Sequence, residues 1–150
     1  MTSHRFGRAA ALAVLLAPLA AQAGDASKAI SLSASLCASC HGEDGNSAVP
    51  LFPKLAGQQA VYLLRELKDY KSGKRTSEVM QPIVSGLSDD DLANLAAFYA
   101  AQKPAPGTVT DPSLLSVGKN LYLKGNDANG IPTCESCHEV DGSGGGKFPR

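Results

Sequence analysis

Cys37-Ala38-Ser39-Cys40-His41 places two thiols three positions apart and a histidine directly after the second. The arrangement recurs as Cys134-Glu135-Ser136-Cys137-His138, and the two copies use all four cysteines of the chain. Cys-x-x-Cys-His is the signature of covalent c-type haem attachment. Each thiol can form a thioether with one haem vinyl group, which delivers the adjoining imidazole to the iron as an axial ligand. Two covalently attached haem c groups are therefore expected.

Zinc binding and dithiol redox chemistry are the rival readings of a Cys-x-x-Cys pair. A four-cysteine zinc site keeps its pairs within roughly 15–20 residues, whereas residues 41–133 separate these two. A thioredoxin-like dithiol needs no histidine after it and expects a strand before it. Both pairs here are followed by histidine, and neither is preceded by a strand pattern.

The N-terminus indicates where such chemistry takes place. Arg5 and Arg8 precede an apolar stretch at 9–21, and Ala21-Gln22-Ala23 before Gly24 has the small residues of a cleavage site. Residues 1–23 thus read as a signal peptide, too short to span a membrane, and the mature chain is expected in the periplasm. No later segment is apolar enough to cross a bilayer. Without Arg5 and Arg8 the chain carries 12 Lys and Arg against 14 Asp and Glu, a balance of −2. That charge argues against nucleic acid as a partner, and against general attraction to anionic membrane.

The two signatures belong to an internal repeat. Asp44-Gly45 follows His41 as Asp141-Gly142 follows His138, and Phe52-Pro53-Lys54 is answered by Phe148-Pro149-Arg150. Between the copies, Pro104, Pro106, Gly107 and Pro112 exclude regular helix. The expected organisation is a first unit at 24–104, a linker at 105–112 and part of a second unit at 113–150.

Periodicity within the first unit is helical throughout, with no convincing strand. A small-residue segment over 26–39 offers Ala29, Ile30, Leu32 and Leu36 for packing. Val61, Leu64, Leu67 and Lys68 follow helical spacing in a second helix that Gly73 can stop. Ser88 is an expected N-cap, with Asp89, Asp90 and Asp91 in the first turn and Leu92, Leu95, Ala96 and Tyr99 on one face. Three helices around a haem would make a coherent all-α core.

These features resemble the class I c-type cytochromes, and among them the tandem dihaem proteins of the cytochrome c4 family. The resemblance rests on Cys37 to His41, on Phe52-Pro53-Lys54-Leu55-Ala56-Gly57-Gln58, on Met80, and on Gly86-Leu87-Ser88-Asp89 before the last helix. It implies periplasmic electron transfer by two haem domains related by a pseudo-twofold axis. It further implies that Cys37 and Cys40 are the thioether sites of the first haem and His41 its proximal ligand. Pro53 would accept the other imidazole N–H, a bond that fixes the ring's tautomer and raises its basicity. Cys134, Cys137, His138 and Pro149 would repeat these roles at the second haem.

A census supplies the sixth ligand of the first haem. Residues 24–150 contain one methionine, Met80, and two histidines, both inside signatures. Bis-histidine ligation is excluded, so Met80, expected on a loop with Pro82 before the closing helix, is the candidate. A thioether ligand raises the reduction potential. No counterpart of Met80 exists in the second unit: it would fall near position 177, past Arg150. Gly42 of the first unit is also replaced there, by Glu139.

Two readings of this asymmetry stand open. In the expected one the sequence is a fragment that stops within its second domain, because loss of a packing element has a large stability cost. In the other, the second haem is open, with water, Lys147 or Lys124 on its distal side. The first leads to a non-enzymatic one-electron carrier between a quinol-oxidising cytochrome bc complex and a terminal oxidase or reductase. The second leads to a peroxidase-like or small-molecule redox enzyme, against which counts the lack of a free acid/base histidine. A cytochrome subunit serving a dehydrogenase is the third alternative. Lys68, Lys71, Lys74 and Arg75 are either a docking patch for an acidic partner or a solvated helix end suited to the C-terminal dipole.

Overall fold

The computed structural model describes residues 24–150, and the signal peptide expected over 1–23 lies outside the described residues. Asp25 starts the first helical turn. Its carboxylate accepts from the Ser27 N–H at 3.0 Å and the Ser27 hydroxyl at 2.7 Å. A 3-10 turn, Ala26–Ala29, leads directly into helix α1, Ile30–Leu36, and a kink at Cys37 separates α1 from the single-turn α2, Ala38–His41. Helices α3, Ala60–Lys71, α4, Met80–Ser85, and α5, Asp89–Ala100, complete the first unit.

Local sequence explains where the longer helices begin and end. The Ser88 hydroxyl accepts from the Asp91 N–H while the Asp91 carboxylate accepts from the Ser88 N–H, so two amides at the start of α5 are satisfied reciprocally. Three aspartates in the first turn complement the positive end of the helix dipole. Past α3, Gly73 takes a positive φ of 76°, which lets the chain leave the helix without a Cβ penalty. Met80 stands at the first position of α4 rather than on a loop. Pro82 is the third residue of that helix, where its missing N–H would have had no intrahelical acceptor.

The core lies between α5, α3 and the first turn. Leu92, Leu95, Ala96 and Tyr99 are all buried along one face of α5, with Ala29 and Leu63 against them. Full burial of each leucine contributes roughly 1.5–3 kcal/mol. One buried polar link crosses this core: the Ser33 and Tyr99 hydroxyls are 2.9 Å apart, 66 positions apart in sequence. Gly45 closes the loop after the first signature. Its φ is 78°, a Cβ there would come within 2.7 Å of the Tyr99 ring, and its carbonyl accepts from both Leu55 and Ala56.

In the second unit, Asp111 caps a 3-10 turn, Pro112–Leu114, through Ser113, as Asp25 does through Ser27. Helix α6, Leu115–Lys124, follows, and α7, Glu135–His138, carries the second signature. The Cys134 N–H donates to the Tyr122 carbonyl at 2.9 Å, as the Cys37 N–H does to Ser33. That match sets Gly118 in the place of the buried Ala29. The first unit lays α5 over Ala29, whereas no described helix covers Gly118, and no residue from 105 to 150 is buried. Leu114, Leu115 and Val140 instead line an open groove of about 850 Å³. Among the described residues there is no strand, only an isolated bridge between Asn126 and Ile131, as an all-α chain requires.

Candidate functional site

Each Cys-x-x-Cys-His motif turns into a short helix, which brings two thiols and an imidazole onto one compact piece of backbone. The His41 N–H donates to the Cys37 carbonyl at 2.9 Å, and the His138 N–H to the Cys134 carbonyl at the same distance. All four thiols are unpaired and half-buried. Burial pushes the Cys37 thiol above its ordinary range, with the Tyr99 hydroxyl acting in the opposite sense. Tyr99 is itself pushed up to about 12, chiefly by burial.

The imidazoles are oriented in the same way in both units. His41 Nδ1 lies 2.9 Å from the Pro53 carbonyl, and His138 Nδ1 lies 2.7 Å from the Pro149 carbonyl. A carbonyl can only accept, so the ring proton sits on Nδ1 in each case and the Nε2 lone pair is left available. Phe52 stands edge-on to His41 at 6.2 Å between ring centres, and Phe148 stands at 6.4 Å from His138. The two sites differ in exposure: His41 is buried, while His138 is half-buried. Met80 is half-buried at the start of α4, its N–H held by the Ser77 hydroxyl at 3.1 Å, and α4 packs on α3.

This donor set suits covalent haem c. Unpaired thiols at the right spacing can carry two thioethers, and an imidazole with its proton fixed on Nδ1 presents a basic nitrogen to a metal. A cytochrome c family model matches residues 26–102. The crystal structure of reduced recombinant cytochrome c4 from Pseudomonas stutzeri superposes with a TM-score of 0.79 at 39% identity, covering 85% of this chain and 72% of that one. The chain belongs to the cytochrome c4 family. Cytochrome c4 of Pseudomonas aeruginosa is 47% identical over 129 residues, which make up 86% of this chain but 63% of that protein. The chain thus spans less than two thirds of that relative's length. A thiosulfate dehydrogenase electron acceptor from Stutzerimonas stutzeri is 38% identical over 150 residues, covering 93% of this chain and 69% of its own.

Several features of the structure escape the sequence. The second unit is tied to the first by polar contacts from the start of α3: Gln58 Oε1 accepts from the Arg150 N–H at 3.0 Å, Arg65 Nη1 donates to the Lys147 carbonyl at 3.2 Å, and Gln59 Nε2 donates to the Ser143 carbonyl at 3.4 Å. Gln58 sits directly after the Phe-Pro-Lys-Leu-Ala-Gly run, but only the fold shows what it touches. Each of the four basic residues near the end of α3 has a carboxylate within ion-pair distance. Lys68 and Lys71 pair with Asp89, Lys74 with Asp69, and Arg75 with Glu66 at 2.6 Å. Such exposed pairs contribute little to stability, and because Asp89 serves both lysines and Glu66 serves both Arg65 and Arg75, these residues keep an excess of positive charge.

Proposed function

We propose that the chain is a dihaem c-type electron carrier of the periplasm, not an enzyme. The observation that carries this is the duplicated proximal device: in both units a Cys-x-x-Cys-His turn holds its imidazole through Nδ1 to a proline carbonyl. Cys37, Cys40, Cys134 and Cys137 hold the groups covalently, and His41 and His138 are their proximal ligands. Pro53 and Pro149 fix the tautomer that leaves Nε2 free to bind. Met80 is the distal ligand in the first unit. Bound at these residues, haem supplies a one-electron iron couple whose potential a methionine ligand raises.

What the protein contributes is rigidity. The packed face of α5 and the buried Ser33–Tyr99 link keep the first proximal helix fixed, so little has to rearrange when charge changes. The partners are redox proteins. A cytochrome bc complex with a terminal oxidase is the respiratory arrangement, and likeness to a thiosulfate dehydrogenase electron acceptor supports the alternative of a dehydrogenase as electron donor. No helix among the described residues is long and apolar enough to cross a membrane.

The mass of the exported protein in excess of its polypeptide tests the cofactor content: two haems are expected, and a one-haem excess would remove the second site. Met80→Ala should abolish the sulfur-to-iron absorption band and lower the first haem's potential. An unchanged spectrum rules Met80 out as the ligand. Carbon monoxide separates carrier from enzyme, since rapid, stoichiometric binding by the native protein would favour an open catalytic iron.

A further inference from the structure

The peptide group joining Pro149 to Arg150 is engaged at both ends. Its carbonyl oxygen accepts from His138 Nδ1 at 2.7 Å, and its N–H donates to Gln58 Oε1 at 3.0 Å. Gln58 belongs to the first unit, 92 positions away. The same side-chain oxygen accepts from the Gln59 N–H at 3.0 Å. Both of its partners are donors, so the amide is held with its oxygen, not its nitrogen, toward the Arg150 N–H. A chain of hydrogen bonds therefore runs from the start of α3 through one peptide group to the second imidazole. Within the described residues no such relay reaches the first imidazole. Pro53 accepts from His41 at 2.9 Å, but among the described residues the N–H of Lys54 donates to no acceptor.

Linked hydrogen bonds polarise one another, by about 10–30% per bond. An acceptor on the N–H side of a peptide pushes electron density toward its carbonyl oxygen, and a stronger carbonyl acceptor draws the Nδ1 proton and makes the opposite ring nitrogen a better donor. We propose that Gln58 sets the donor strength of His138 across the boundary between the units, and so lowers the potential of the second haem relative to what that haem would have alone. Gln58 is a positioning residue, acting through the Pro149–Arg150 peptide. The proposal rests on His138 being the proximal ligand of a second haem.

The test uses the full-length two-haem protein and three variants. Gln58→Leu keeps the bulk and removes the acceptor. At a fixed electrode potential near the second midpoint, the ratio of reduced to oxidised second haem should rise two- to five-fold. For a one-electron couple at ~59 mV per tenfold, that is about 20–40 mV. The first haem should move much less, and the His138 Nδ1 proton resonance of the reduced protein should shift upfield. Gln58→Glu keeps an acceptor oxygen, makes it anionic and should bring the ratio below the native value. Arg65→Leu removes the neighbouring Lys147 contact without touching the peptide, and should leave the His138 resonance in place.

An unmoved resonance and second-haem ratio in Gln58→Leu overturns the proposal, as does an equal change in Arg65→Leu, which would assign the effect to docking alone. If Gln58→Leu does not fold, Gln58→Glu decides, because an anionic acceptor must lower the second haem's ratio selectively and no change defeats the idea. Mass spectrometry of each sample separates the two levels. A single haem defeats the assignment of the second site together with this inference, whereas two haems with an unmoved resonance defeat this inference alone.

Discussion

Glu139 occupies the position after the second signature that Gly42 occupies after the first. Its backbone is at φ 65° and ψ 157°, close to the 82° and 153° of Gly42, and it is the one non-glycine residue at positive φ among those described. This region is nearly exclusive to glycine and costs other residues about 1–3 kcal/mol. Glu139→Gly is expected to stabilise the second unit by about 1 kcal/mol, the strain relieved less the extra entropy glycine loses on folding. A lower urea midpoint would contradict this. The sequence flags the substitution at 139, but not the strain, which exists only because the turn demands the same backbone in both copies. Tyr99 gives a second residue-scale expectation. Burial raises its phenol from 10.0 to about 12, so the unfolded chain gives up the proton first as pH rises. Its contribution to stability is full below pH 10 and is lost as pH rises through about 12. Tyr99→Phe should flatten that alkaline loss of melting temperature. At neutral pH it should cost about 1–3 kcal/mol, because the Ser33 hydroxyl is left buried without its partner.

At the scale of elements, the features readable from sequence are those with a local cause. The start of α5 is an example: Ser88 and Asp91 lie within four residues of one another and complete a capping box. Ser88→Ala should lower stability by about 1 kcal/mol, measured by thermal melting with α5 helicity followed by circular dichroism. No change in midpoint would show that packing alone holds the end. The apolar stripe of α5 and the stop after α3 are equally local. Met80 and Pro82 were harder to read, because a proline suggests a loop unless its distance from the helix start is known. The polar ties from Gln58, Gln59 and Arg65 join residues more than 80 positions apart, and no periodicity announces such pairs.

Within residues 24–150 the two cofactor turns are held in two ways. The first unit buries leucines, an alanine cluster and a tyrosine around its signature, while the second has no buried residue and leans on the first through hydrogen bonds. Few buried apolar contacts mean low free energies of local opening. In a chain of residues 24–150, amides of α6 should therefore exchange with deuterium well before those of α5, as peptide-resolved mass spectrometry would show, and equal protection would refute the contrast. The duplication itself is plain in the sequence, in the repeated Cys-x-x-Cys-His, Asp-Gly and Phe-Pro elements. Asn46 adds a mechanical consequence. Its side-chain amide donates to the Lys103 carbonyl at 2.9 Å and its oxygen accepts from the Ala105 N–H at 2.7 Å, a two-point grip on the chain as it leaves α5. The pivot for any swing of the second unit is thereby shifted from the end of the helix to residues 106–110. A protease probing the tether should cut there first, and Asn46→Ala should lengthen the lever by letting the cut site spread back toward Lys103.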